Sequence, residues 1–463
     1  MAGTLAQRRE RAPAPVPPPA PALMEKFVID GGVPLSGTVT PAGNKNAALP
    51  ILAACVLTTE KVVVRNVPRI RDVAAMLDLL ELLGVSVEWR GENEVALCAA
   101  GVTPDALVDQ GIAERIRASF LLAGPLLARF GRAVMPPPGG DVIGRRRLDP
   151  HLDAFRGLGA RERFEHGDVV IEARGGPGAR LEPGEVFMDE PSVMATENAL
   201  MAAALTPGQT SIGNAASEPH VQDLARMLVK MGARIIGIGS NVMRITGADE
   251  LGGCTHDVGP DHIEIGSFMA IAGVTGGELR IKDTEPGDLR MIRLVFQRLG
   301  LESEFDGLDV IVPGGQKLVA ARDLGDHMGK VQDGPWPQFP ADLTSIAVAL
   351  ATQSEGQVLI HEWMFESRLF FCDKLVSMGA NILIADPHRA LVMGPTPLRG
   401  ATVSSPDIRA GMAMLMAALC AEGRTDIAEI RQIDRGYERI DERLRELGAR
   451  IERVATDSAP APA

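Results

Sequence analysis

Aromatic side chains are scarce in this chain: one tyrosine, three tryptophans and 13 phenylalanines make up 4% of 463 residues. A core without rings must be packed by Ala, Leu, Val, Ile and Met, which suits close contact between helices and sheets. Cysteine is scarce too. The five present, Cys55, Cys98, Cys254, Cys372 and Cys420, are odd in number and scattered, with no metal-ligand spacing. They argue against a disulfide framework and point to reduced, mostly buried thiols in a cytoplasmic protein. No run of eighteen uninterrupted apolar residues occurs, so no membrane span is expected. A positive excess is also missing, the formal net charge being −13. Nucleic acid and anionic membrane surfaces both call for a basic face, so neither is the expected partner. An anionic small molecule stays compatible if arginines and lysines are focused locally.

What is present describes a globular protein, with 46% hydrophobic and 23% charged residues. The length suggests about two to four domains. Residues 1–23 combine a basic patch with the Ala/Pro run 12–22 and read as a disordered, partly polyproline II tail, which makes Met24 a candidate natural start. The Ala/Pro-rich end, 456–463, reads the same way.

Internal repetition is the strongest organisational signal. Leu or Met, then Gly, then a small or branched residue recurs at Leu83-Gly84-Val85, Leu158-Gly159-Ala160, Met231-Gly232-Ala233, Leu299-Gly300-Leu301, Met378-Gly379-Ala380 and Leu447-Gly448-Ala449. The interval is roughly seventy residues. Glycine there takes the left-handed conformation that closes a helix before the chain returns as a strand. In phase with it, Ala-rich helices start near Ala47, Ser119, Ala195, Ile263, Leu343 and Ile408. Stretches such as 198–205 and 411–420 carry few charges and expect burial on nearly every side, so their methionines are core packing. Six α/β units with helices inside and sheets outside, split into two lobes of three, account for the pattern.

Several stretches can carry chemistry. Lys45 and Asn46 lie just before an Ala-rich helix, whose free N–H groups and the lysine charge suit a phosphate or carboxylate; an asparagine there also serves as an ordinary cap. Arg117 and Arg409 occupy matching places at the starts of apolar helices; Arg368 follows Phe365-Glu-Ser, and Arg435 lies in Ile433-Asp-Arg-Gly-Tyr437. Each alone reads as a surface salt-bridge former; together, in an acidic protein, they read as a shared anion site between lobes. Asp342 precedes a buried helix and is either an N-cap or a general base. The loop from Pro136 to Asp149 has three prolines, Gly139, Gly140 and Gly144, the carboxylate Asp141 at its tip, and Arg145, Arg146 and Arg147 behind it. It reads as a mobile anion-binding loop or as a Pro/Gly surface connection.

Lys45-Asn-Ala-Ala-Leu-Pro50, Asn66-Val-Pro68, Arg117-Ala-Ser119, the run 124–131, Pro138-Gly-Gly140, Ile143-Gly144, Asp261 with Ile263-Glu264, Phe365-Glu366 and the run 433–440 fall in the order seen in one family. From about Met24 to Val454 the chain resembles the UDP-N-acetylglucosamine 1-carboxyvinyltransferase family of enolpyruvyl transferases. The resemblance implies an inside-out α/β barrel of two lobes, each of three βαβαββ-type units. Lobe 1 would comprise 24–44 and 258–455, lobe 2 would comprise 45–257 with the lid loop 136–149, and the active site would lie in the cleft. It implies transfer of the enolpyruvyl group of phosphoenolpyruvate to the 3′-hydroxyl of UDP-N-acetylglucosamine with release of phosphate, by addition and elimination. This is the first committed step of peptidoglycan precursor synthesis. No cofactor or metal is implied, and a monomer-like cleft enzyme is expected.

Carried over by position, Lys45, Asn46, Arg117, Arg146, Arg368, Arg409 and Arg435 would surround phosphoenolpyruvate, with Lys45 also a candidate proton donor. Asn46, Arg117, Arg147, Leu148, Asp149, Pro150, His151, Ser192, Val193, Met194, Asp342 and Met364 would contact the nucleotide sugar, with Asp342 as the base toward the 3′-hydroxyl. Most members carry cysteine where this chain has Asp141; a minority carry aspartate, and a carboxylic acid can take over proton transfer if its site keeps it protonated. Fosfomycin acts in this family by alkylating that thiol, so resistance is expected. Arg147, Pro150, Met194 and His262 also depart from the usual residues and touch the nucleotide groove. A transferase acting on another nucleotide is therefore an alternative, as is a non-catalytic binding paralogue. The shikimate 3-phosphate enzyme fits less well, because its Ser/Thr-rich lysine motif is replaced by Asn44-Lys-Asn46.

Overall fold

The computed structural model describes residues 24–141 and 143–456. The tail 1–23, the residues after Thr456, and Val142 in the loop lie outside the described residues. Thr456 itself, placed in the C-terminal tail by the sequence reading, is strand: it pairs with Met24 at the end of an antiparallel ladder.

Among the described residues six sheets account for the strands, five with four strands and one with three. One unit is uninterrupted: strand Glu185–Phe187, helix Val193–Ala204, strand Gly208–Gly213, helix Pro219–Met231, then strands Arg234–Ile236 and Val242–Gly247. Its first strand joins its second in parallel and the others pair antiparallel. Gly329–Gln332 through Arg389–Gly394 repeats that order. The helix between the second and third strands ends each time at the repeated glycine. All six of these glycines, 84, 159, 232, 300, 379 and 448, have φ between +77° and +120°, a region closed to most side chains.

Three units borrow a strand from a distant part of the chain. Gly37–Val39 pairs in parallel with Leu279–Ile281, and Thr255–Asp257 pairs in parallel with Lys61–Arg65. Met24–Asp30 inserts between Arg424–Ala428 and Arg450–Thr456, antiparallel to both. These insertions make the chain cross between lobes twice, once after Val39 and once after Asp257. The crossings run side by side, Asn44 N donating to Gly259 O at 2.8 Å and Asp261 N to Ala42 O at 2.9 Å. Gly43 sits where a Cβ would lie 1.7 Å from Asn66 O, so only glycine allows this approach.

Two hydrophobic clusters result. One gathers buried side chains from Ala47 to Val258; the other joins Phe27–Val39 to Ile263–Ile451. In the first, helix Ala123–Phe130 packs on Val193–Ala204; in the second, helices His262–Thr275, Thr344–Gln353 and Ile408–Cys420 pack on one another. These helices are buried around most of their circumference: every residue of Ile408–Cys420 but the last is buried. Strands instead alternate, as in Val242–Gly247, where buried Met243 and Ile245 separate exposed neighbours. Helices therefore form the interior and sheets show one face to solvent. Among the described residues no helix is long and apolar enough to cross a membrane.

Candidate active site

The double crossing brings the starts of two core helices together. Asn44 caps helix Lys45–Ala54, its side chain accepting from Asn46 N at 2.9 Å and Ala47 N at 3.2 Å. Capping thus falls to Asn44, and the Asn46 side chain is free to reach across the cleft, donating to Asp342 Oδ2 at 3.4 Å. Asp261, from the opposing crossing, caps helix His262–Thr275 and also accepts from Lys45 N at 3.2 Å. The side chain of Lys45, buried at the lobe boundary, ends 2.8 Å from Asp72.

Asp72 is one centre of charge. Its carboxylate takes Lys45 Nζ on one oxygen and Arg435 Nε, at 2.9 Å, on the other. Arg435 also pairs with Asp141 at the loop tip and donates to Gln432 Oε1 at 3.0 Å. Burial alone would raise the Asp72 pKa, but Lys45 and then Arg435 hold it below the ordinary carboxylate value. Asp72 gave no sequence signal: an acid in the first turn of an amphipathic helix is commonplace.

Asp342 is the other. It lies in the short turn Ala341–Leu343 and caps nothing. Its carboxylate accepts from Arg409 Nη2 at 2.8 Å and Nε at 3.1 Å, and from Arg368 Nη2 at 3.2 Å. Burial pushes its pKa up, yet Arg409, Arg368 and Lys45 overcome that and keep it ionised far below the usual range. Arg409 donates further to the buried Tyr437 hydroxyl at 3.3 Å.

Among the described residues, Arg117 and Arg146 have no carboxylate partner in the cleft. Arg117 donates to the Arg146 and Arg147 carbonyls at 2.5 and 3.3 Å, and burial, then the charge of Arg146, lowers its pKa to about 10. Arg146 is half-buried and makes no side-chain hydrogen bond or ion pair among the described residues; burial lowers its pKa against the pull of Asp141. Nearby acids do not cancel this charge. Asp407 is occupied by the backbone N–H groups of Arg409 and Ala410. Burial pushes Glu197 well up, helped by Glu218, and burial pushes Glu218 up as well, which favours their neutral forms. The cleft is an anion site with cations in excess.

One cavity between the lobes is lined by Lys45, Asn46, Arg117, Asp141, Arg146, Val193, Met194, Asp342, Met364, Arg368, Arg409 and Arg435. A second opens beside it, shares Arg117, Arg146, Val193, Met194 and Met364, and adds Arg147, His151 and Ser192. Leu148, Asp149 and Pro150 line neither. Helix Asp149–Gly157 begins here; Pro150 is buried in its first turn, Leu148 packs on the lobe core, and Asp149 turns outward to Arg147 at 3.3 Å. His151 is an inner wall rather than a charged contact: it bonds Asn198 at 2.9 Å, and burial, then Arg117, lowers its pKa to about 3. His220, His262, Trp336 and the two glutamates also line the first cavity; of these the sequence had singled out only His262. All five cysteines are free thiols, and none lines either cavity.

The loop closes one side. Arg145 N donates to Glu366 Oε2 at 3.2 Å and Ser367 N to Ile143 O at 3.1 Å, so the loop touches the opposite lobe. Gly144, at φ +135°, puts its Cα where a Cβ would lie 2.2 Å from Glu366. Asp141 is delivered to Arg435 by this closure.

The family model described as EPSP synthase (3-phosphoshikimate 1-carboxyvinyltransferase) matches residues 29–444. A UDP-N-acetylglucosamine 1-carboxyvinyltransferase of Bradyrhizobium diazoefficiens is 53% identical over 93% of this chain and 98% of its own. One from Treponema denticola is 51% identical over 93% and 99%. In crystal structures, the enolpyruvyl transferase NikO from Streptomyces tendae superposes with a TM-score of 0.81 at 25% identity, covering 94% of this chain and all of that one. EPSP synthase from Acinetobacter baumannii, at 20% identity and a TM-score of 0.69, shares the fold.

Proposed function

The chain belongs to the UDP-N-acetylglucosamine 1-carboxyvinyltransferase family of enolpyruvyl transferases, and from that premise we propose how its cleft moves the enolpyruvyl group of phosphoenolpyruvate onto the 3′-hydroxyl of UDP-N-acetylglucosamine. The observation that carries the reading is the opposition of two charge centres in one cleft. A carboxylate held ionised, Asp342, faces a cluster of cations in which Arg146 has no partner. A half-buried guanidinium without an acceptor is costly unless a ligand supplies one.

Phosphoenolpyruvate supplies a carboxylate and a phosphate. Lys45, Arg146 and Arg435 receive these groups, with Arg368 and Arg409 at the other side and Arg117 toward the diphosphate of the acceptor. In the free protein Arg435 is occupied by Asp72 and Asp141, and Arg368 and Arg409 by Asp342. Binding of a multiply charged anion draws the arginines from Asp342. Its pKa then rises toward a value useful for a base.

The reaction follows as two proton-coupled steps. The 3′-oxygen bonds to C2 of phosphoenolpyruvate as Asp342 takes the hydroxyl proton, and an acid delivers a proton to C3, giving a tetrahedral adduct. Loss of a C3 proton and departure of phosphate from C2 then restore the double bond. Lys45 and Asp141 are the candidate proton-transfer groups: Lys45 meets Asp72, and Asp141 meets Arg435, which Asp72 also binds. Arginines aimed at the phosphate stabilise it as it leaves. The activity places the protein at the entry to peptidoglycan precursor synthesis.

The test is phosphate release from phosphoenolpyruvate with UDP-N-acetylglucosamine, UMP or shikimate 3-phosphate as acceptor. Release with the nucleotide sugar alone supports the reading. Release with a different acceptor replaces it, and none with any acceptor turns the cleft into a binding site.

A further inference from the structure

Asp342 takes its charge from one lobe and its place from the other. Arg368 and Arg409, from its own lobe, hold the carboxylate ionised. Lys45, Asn46 and Arg146, beside which it has to act, belong to the opposite lobe. Across that boundary its carboxylate receives, among the described residues, one hydrogen bond, from Asn46 Nδ2 at 3.4 Å. A bond of that length is weak, so the base needs a second hold to stand in register with its substrates.

The segment leading to Asp342 supplies that hold. Residues 334–339 close on themselves, Gly334 N donating to Phe339 O and Gln338 N to Pro335 O, both at 3.1 Å. The tip of this turn, Trp336, crosses to the other lobe. Its N–H donates to Glu218 Oε1 and its carbonyl accepts from Ser217 Oγ, each at 3.4 Å. Its ring rests edge-on against His262, with centroids 6.0 Å apart, and His262 lies parallel to His220 at 6.2 Å. The His262 ring is itself fixed. Asn44 Oδ1 is occupied by the N–H groups of Asn46 and Ala47, so the Asn44 amide donates to His262 Nδ1 at 3.1 Å and the ring proton sits on Nε2.

Glu218 holds the turn as an acceptor rather than as a charge. Burial favours its neutral form, and it forms no ion pair among the described residues. Its Oε2, like Glu197 Oε1, is buried without a partner. An amide of the same shape would serve Trp336 N equally well.

We propose that Glu218 is a positioning residue for the general base: from the opposite lobe it holds the turn of Trp336, six residues before Asp342, and so sets the carboxylate in register with Asn46 and the bound 3′-hydroxyl. This rests on the reading of Asp342 given above. The bonds that link Ser217, Glu218 and Asn46 to the segment 336–342 cross the same boundary at the same length, so one movement of about 0.5 Å brings all three to ordinary hydrogen-bond distance.

The test is steady-state phosphate release, with phosphoenolpyruvate and UDP-N-acetylglucosamine, by wild type, Glu218→Ala, Glu218→Gln and Ser217→Ala, each also combined with Asp342→Asn. A misplaced base predicts kcat lowered roughly 10- to 100-fold in Glu218→Ala and about threefold in Ser217→Ala, with the KM for phosphoenolpyruvate changed by less than about threefold. Glu218→Gln, which keeps the acceptor, stays within about threefold of wild type. Because Glu218 acts through Asp342, none of these substitutions lowers kcat further in the Asp342→Asn background. Unchanged kcat in Glu218→Ala, a loss that multiplies with that of Asp342→Asn, or a Gln variant as impaired as the Ala variant overturns the proposal. If Glu218→Ala does not fold, Ser217→Ala carries the comparison, and no loss, or a loss that multiplies, overturns it. Wild-type turnover by Asp342→Asn refutes the base assignment, and no phosphate release by wild type refutes the activity, so each failure is read apart.

Discussion

Asp342→Asn removes one charge and keeps the shape of the side chain. It loses the counter-charge to Arg409, at 2.8 and 3.1 Å, and to Arg368, at 3.2 Å, two arginines whose side chains are only 6% and 5% exposed. Breaking a buried pair by removing one partner costs about 3–5 kcal/mol. Here the lower end is expected. Arg368 keeps Glu362 at 3.7 Å and Arg409 keeps the Tyr437 hydroxyl at 3.3 Å. Turnover suffers independently, because loss of a general base lowers the rate by about 10²- to 10⁴-fold. The two effects separate on adding phosphoenolpyruvate: its anion supplies the missing counter-charge, so the thermal shift it produces is larger in the variant than in wild type. The assay pairs thermal denaturation, with and without phosphoenolpyruvate, with phosphate release at saturating substrates. Turnover within tenfold of wild type refutes the base assignment, and an unchanged melting temperature refutes the charge argument.

Other outcomes follow from neighbouring groups. Asp141→Asn leaves Arg435 its Asp72 partner but removes a proton-transferring group, and turnover falls by about 10²-fold or more. Asp141→Cys retains activity and becomes subject to time-dependent inactivation by fosfomycin, to which the native protein, with no thiol lining the cleft, is resistant; covalent inactivation of the native protein contradicts this. Stability falls with acid from about pH 6.5, because His151, His220 and His262 are buried with pKa values lowered to about 3, 3 and 4, burial being the main cause. Unfolding lets each take up a proton. Their contribution is therefore fully present above the unfolded value near 6.5 and lost as pH falls toward the folded values, at about 1.4 kcal/mol per pH unit for each histidine. Urea denaturation at pH 7.5 and 5.5 reads this; equal stability at the two values contradicts it. Asp72 and Asp342, whose folded values are depressed, add a second loss only below about pH 4.

The repeat was legible because it is local. A left-handed glycine closing a helix leaves its mark within three residues, and each of the six marks corresponds to one helix end and one sheet. The burial of the Ala- and Met-rich helices was legible for the same reason. The inserted strands were not. Gly37–Val39 and Thr255–Asp257 have three residues each and find their partners 242 and 192 positions away (Gly37 with Leu279, Val63 with Thr255), beyond any local pattern. The site divides similarly. Asp342 admitted two readings, cap or base, and its turn geometry decides that it caps nothing. Asp72 was invisible because its importance comes from Lys45 and Arg435, which meet it only after the lobes assemble. Leu148, Asp149 and Pro150 were read as groove residues from their place in a motif; at the start of the helix that begins at Asp149 they line neither cavity.

The central claim is an addition to C2 of phosphoenolpyruvate followed by elimination of phosphate, run in one charged cleft. Carrying out the reaction with UDP-N-acetylglucosamine in deuterium oxide and examining the product by mass spectrometry and proton NMR tests it directly. The account predicts a nucleotide sugar carrying one enolpyruvyl group, with deuterium in its vinyl CH₂ because C3 passes through a methyl group in the adduct. A product without vinylic deuterium, or phosphate released without any enolpyruvyl nucleotide sugar, would contradict it.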